Sequence, residues 1–180
     1  PRPRFIEETK NLSGSEKGIA LHLAMQYICY SKCVTVQGIT EELERLYTQE
    51  YMTRAQVDAV DPERIYKLFS SPLGKLLLQS NEVRREFKFS ILMPADELKL
   101  GNTEDKVLVQ GVIDCFVDTP DGLVVVDFKS DKVTQRNVYE RAGSYKIQLD
   151  TYCTALERIT GRPILRRVLY FFALDMEINL

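Results

Sequence analysis

A mixed α/β or α+β fold is predicted, on three observations. Helical periodicity with cap signals runs to about residue 80, the apolar period then shortens to two, and a hairpin, one long helix and a last strand follow. At 180 residues the chain is read as a single domain, with a helical N-terminal part over 13–80 and a sheet-containing part over 81–180.

Residues 1–12 read as a linker. Ser13 and Glu16 have capping-box spacing, and Leu21, Ala24, Met25 and Ile28 then recur at helical intervals, predicting a helix from Lys17 to about Tyr30. His22 lies beside that stripe, in line with Gly18, Met25 and Cys29. Gly38 to Glu50 reads as a second helix. Thr53, Asp61-Pro62 and Ser71-Pro72 open three more, each through a cap or a first-turn proline. From Asn81 the pattern alternates through Val83, Arg85, Phe87, Phe89 and Ile91, a half-buried strand, and Pro94 to Asp105 reads as a polar loop.

The organising stretch is Gln110 to Asp131. Val107–Val117 and Leu123–Lys129 are β-forming runs joined by Asp118-Thr119-Pro120-Asp121-Gly122, a hairpin turn. Side chains alternate along a strand, so Asp127 and Lys129 share a face opposite Val126 and Phe128. Asp114 on the partner run brings a second carboxylate near the first. Two such charges repel unless a cation neutralises them, and oxygen donors suit a hard ion, Mg²⁺ or Mn²⁺. The same residues also fit a strand end carrying a solvated counter-charge, although Asp127 interrupts a run of Val124, Val125, Val126 and Phe128 that reads as buried on both faces.

Lys132 to Gly143 is polar and basic and reads as a mobile segment. Ser144 opens a helix to about Thr160, ended by Gly161 and Pro163, with Leu149, Cys153 and Leu156 facing the core. Gln148 and Tyr152 are neighbours on one of its faces. Arg166–Leu174 is a further strand, and Met176–Leu180 one more or a frayed end.

Composition narrows the function classes. A net charge of −2 and a pI near 5.6 give no global signature of a free-standing nucleic-acid binder. No apolar run approaches the ~20 residues of a membrane helix, and no signal-peptide core follows the start. A soluble protein is predicted. The first residue is not Met, so the chain is read as a piece of a longer polypeptide. Cys29 and Cys33 fit one helix face, without the further Cys or His of a zinc site, and all four cysteines are predicted to be reduced thiols.

Gly111-Val112-Ile113-Asp114, then Asp127-Phe128-Lys129 after 12 intervening residues, then Gln148-Leu149-Asp150-Thr151-Tyr152, with Lys17 to His22 upstream, resembles the PD-(D/E)XK nuclease superfamily in its RecB-like form. Within it the likeness is to the C-terminal nuclease domains of AddA-type helicase–nucleases. The resemblance implies a restriction-endonuclease-like core, a central mixed sheet flanked by helices. It implies a metal-dependent deoxyribonuclease, an exonuclease acting at broken DNA ends for recombinational repair, in a bacterial cytoplasm. Implied partners are DNA, helicase domains on the same full-length chain, through which alone ATP enters, and a second, AddB-like subunit.

By the same resemblance His22, Asp114, Asp127 and the Phe128 main-chain carbonyl hold the metal, Lys129 positions water or offsets charge, and Gln148 and Tyr152 orient Lys129, the water or the DNA. Glu86 reads either as an extra acid or as a solvent-facing position. Lys132, Arg136, Arg141 and Lys146 are the expected phosphate contacts. A nuclease-like module without catalysis, used for DNA binding or subunit docking, is the second reading.

Overall fold

Ser13 and Glu16 cap each other as their spacing predicts. In the computed structural model, which describes residues 12–80, 82–96 and 105–180, the Ser13 hydroxyl accepts from the Glu16 N–H and the Glu16 carboxylate accepts from the Ser13 N–H at 2.7 Å. Helix α1, Gly14–Tyr27, follows. The remaining caps act in the same way. Thr35 opens α2, Val36–Thr48; Thr53 opens α3, Arg54–Ala59; Asp61 opens α4, Pro62–Ser70; and α5 covers Pro72–Gln79, with the Ser71 hydroxyl accepting from Gly74 N–H. The chain divides into two compact units, Pro1–Leu78 and Gln79–Leu180.

Helix α1 stops at Tyr27, earlier than its apolar spacing suggests, because side chains of α2 take over its end. The Arg45 guanidinium donates to the Tyr27 carbonyl at 3.0 Å, and the Glu42 carboxylate accepts from Cys29 N–H at 2.8 Å. Cys29 and Cys33 therefore do not share a helix face. They flank a single 3-10 turn, Tyr30–Lys32, and Cys29 is exposed while Cys33 is buried. Glu42 is only 7% exposed, and the Arg45 hydrogen bond holds its carboxyl below the ordinary range despite burial. Arg45→Met leaves that carboxylate buried without its partner, so a loss of about 3 kcal/mol is expected in urea melts. Arg64→Met, at an exposed pair with Asp61, costs under about 0.5 kcal/mol.

The second unit is a five-stranded sheet and one long helix. Strands β1, Val83–Pro94, β2, Lys106–Thr119, β3, Gly122–Lys129, β4, Ile164–Phe171, and β5, Met176–Asn179, lie in the order β1-β2-β3-β4-β5. Only β3 and β4 are parallel, and helix α6, Val138–Thr160, makes the crossover between them. This is the mixed sheet with helices that the sequence predicts. Most of the expected Pro94–Asp105 loop lies outside the described residues.

Helix α6 begins six residues before Ser144, so most of the segment expected to be mobile is its first turns. The apolar stripe extends upstream: Val138 and Ala142 are buried in one core with Leu149, Cys153 and Leu156. Asn137 accepts from Thr134 N–H at 2.7 Å and closes the turn before the helix. At the other end Gly161, with φ of 67°, takes the left-handed position that stops the helix. No described helix is long and apolar enough to cross a membrane.

Candidate active site

Pairing of β2 with β3 runs from Thr119↔Gly122 to Cys115↔Val126, and one step further along this register come Asp114 and Asp127. The two carboxylates meet where the strands part. Asp114 Oδ2 accepts from the Phe128 N–H at 2.8 Å, a main-chain bond that holds the side chain across the gap. Burial first, and the Asp114 charge second, push the Asp127 carboxyl up to about 7, against the opposing pull of Lys129. Lys129 Nζ lies 2.6 Å from Asp127 Oδ2, so the two share a face of β3 as their alternation requires.

The β1–β2 ladder is interrupted at this same level. Arg85 pairs with Cys115 and Phe87 with Ile113, while the register passes over Glu86 and Asp114 between them, and Glu86 has a φ of 50°. Val109 and Ile113 before the interruption, and Phe116 after it, reach the same core, so the alternation of β2 slips by one residue at Asp114. A positive φ is costly for a residue with a side chain, and such strain collects at functional sites. Here it accompanies an added acid: the Glu86 and Asp114 carboxylate oxygens lie within 4.8 Å of each other. The signal in the sequence was Arg85, a charge on the apolar phase of β1, which marks a strand about to change phase.

Tyr152 of α6 packs across the sheet on Gly111, the glycine three residues before Asp114. A Cβ at Gly111 would come within 2.6 Å of the Tyr152 ring, which is also held edge-to-face by Phe89 at 5.2 Å. Gln148 Nε2 donates to the Tyr152 hydroxyl at 3.3 Å. Gly111→Ala is therefore expected to displace Tyr152 and to cost about 1–2 kcal/mol of stability. Thermal melts check the effect, and the shorter Tyr152→Leu in the same background recovers part of the loss.

Of the expected phosphate contacts, Lys132 and Arg136 are exposed on the approach to α6. Arg141 pairs with Asp131 at 2.9 Å and Lys146 with Asp150 at 3.0 Å. His22 lies half-buried on α1, beside the buried Leu21 and Met25. The Phe128 ring packs with Phe172, 5.8 Å between centroids.

Paired strand-end acids, an acid-x-lysine triplet and a Gln-x-x-x-Tyr helix on a mixed sheet define a nuclease-type site. Residues 3–177 match the family model of the PD-(D/E)XK nuclease superfamily, and the chain belongs to that superfamily. Among known proteins it is similar to the AddA polypeptide of the ATP-dependent helicase/nuclease of Clostridium novyi (strain NT), 35% identical over 184 residues that cover 99% of this chain and 15% of that protein. The corresponding polypeptide of Clostridium botulinum (strain Hall / ATCC 3502 / NCTC 13319 / Type A) is 38% identical over 184 residues, covering 99% of this chain and 14% of that protein. The chain thus spans only about one seventh of the length of these relatives.

Proposed function

We propose that this chain is a divalent-metal-dependent DNA nuclease domain that works at DNA ends as an exonuclease, attached to an ATP-dependent helicase. The observation that carries the reading is the convergence of Asp114 and Asp127, with Lys129 in contact with the second acid. A buried pair of carboxylates is destabilising by itself, and a hard cation relieves it. The donor set fits Mg²⁺, with Mn²⁺ able to substitute.

Asp114, Asp127 and Glu86 would hold the ion through carboxylate oxygens. His22 and the Phe128 carbonyl join them on the family likeness. When bound, the cation polarises the phosphate and lowers the pKa of a coordinated water. The Phe128 N–H engages one oxygen of Asp114 and keeps that carboxylate oriented. Lys129 steadies the attacking water or offsets charge developing on the phosphate. Gln148 and Tyr152 orient Lys129, the water or the DNA backbone, and Lys132, Arg136, Arg141 and Lys146 contact phosphates. The names of the relatives support a helicase on the same full-length chain, through which ATP enters. A role in recombinational break repair, a bacterial cytoplasmic setting and an AddB-like partner protein belong to the same proposal.

The test is end-labelled duplex and single-stranded DNA incubated with the 180-residue protein and Mg²⁺ or Mn²⁺. Cleavage that EDTA stops and Asp127→Ala abolishes is expected. Undiminished cleavage by the variant would end the assignment.

A further inference from the structure

Lys129 has two neighbours of different kinds. One is Asp127, at 2.6 Å; the other is the face of the Tyr145 ring, whose centroid lies 3.7 Å from the ammonium nitrogen. Tyr145 sits on α6, three residues before Gln148, and is itself held from outside the acid pair. Its hydroxyl donates to Asp131 Oδ2 at 2.7 Å, the other Asp131 oxygen accepts from Arg141 at 2.9 Å, and the Arg141 guanidinium lies 4.7 Å from the same ring. Asp131 is two residues beyond Lys129. A carboxylate, a guanidinium and a phenol thus brace one ring against one amine.

The geometry points to Tyr145 as a positioning residue for Lys129: its braced ring keeps the ammonium in the site when a cation engages Asp127. This rests on the nuclease reading above. A carboxylate oxygen given to a cation is a weaker acceptor for Lys129, and the ion's charge repels the amine. An aromatic face attracts the ammonium through its quadrupole while offering no site for a proton, so the amine's N–H groups stay available to water or phosphate. A third acid in place of the ring would bind the amine too firmly to serve. Burial pushes the Asp131 carboxyl up, but hydrogen bonds from Tyr145 and Arg141 outweigh it and keep the carboxyl below its ordinary value. Burial, then Asp131, raise the Tyr145 phenol to about 12, so the hydroxyl stays a donor.

The test replaces Tyr145 in the 180-residue protein with Phe, then with phenylalanines of increasing ring fluorination, and with Leu. Fluorination drains the ring face while the shape is nearly kept. Tyr145→Phe is expected to stay within about threefold of wild-type kcat, the fluorinated series to fall stepwise, and Tyr145→Leu to lose about ten- to thirtyfold in kcat with little change in KM for DNA. In a Lys129→Ala background Tyr145→Leu is expected to add no further loss.

A second readout needs no turnover. The Lys129 ε-methylene protons should be shifted upfield by the ring current in NMR spectra, should remain so in saturating Mg²⁺, and should lose the shift in Tyr145→Leu. A flat fluorination series in an active enzyme, a loss that persists without Lys129, or an ε-methylene shift that vanishes on adding Mg²⁺ overturns the proposal. A wild-type protein that cleaves no DNA overturns the nuclease reading instead, with the NMR result still standing for or against Tyr145.

Discussion

Asp127→Asn is expected to abolish cleavage, by a factor of at least about 10³, and at the same time to make the metal-free protein more stable at pH 8. The two effects have one cause. The carboxyl's ordinary value is 3.8 and burial beside Asp114 raises it to about 7, so between those limits the folded state holds a proton that the unfolded chain has released. Stability therefore falls as pH rises through that window, and the full cost is present above about 7. Three units correspond to a ceiling of about 4 kcal/mol, applicable to a side chain only 22% exposed. The variant also takes an ion-pair partner from Lys129, which leaves a net gain of about 2 kcal/mol. Urea melts in EDTA at pH 8 and pH 5 check this, with the variant's advantage present at the first and shrinking at the second. Equal stability of the two proteins at pH 8 would show that the acids do not repel each other in the fold.

Saturating Mg²⁺ or Mn²⁺ is expected to stabilise the wild-type protein by the same physics. A ligand at 100 times its dissociation constant contributes about 2.7 kcal/mol, or roughly 5–10 °C in a chain of this size. The ion competes with the proton shared between the acids. Its apparent affinity should fall about tenfold for each pH unit below about 7, since one bound proton must leave Asp127. The shift should thus be large at pH 8, small at pH 5.5 and absent in Asp127→Asn. A shift of equal size in that variant would place the ion elsewhere.

The elements legible in the sequence are those whose cause is local. Ser13, Thr53, Asp61 and Ser71 supply cap oxygens to the next few N–H groups, so each announces its helix without help from the rest of the chain. Alternation alone puts Asp127 and Lys129 on one face of β3, and the structure finds them in contact. The misreadings were tertiary. α1 ends at Tyr27 because Glu42 and Arg45 of another helix satisfy its last groups, and no glycine or proline marks the place. α6 starts at Val138 because the sheet buries Val138 and Ala142, a surface that polar neighbours conceal in the sequence.

The candidate site divides along the same line. The chain alone determined which acids, amine and helix residues exist and how far apart they stand, since those spacings are covalent. Only the fold decided that the alternation slips at Asp114, that Glu86 joins it at a positive φ, and that Tyr145 faces Lys129. Each of those needs a second strand or helix to set the register or supply the ring. A register between strands is chosen by the sum of all the side chains that the sheet buries, and no short stretch of sequence contains that sum.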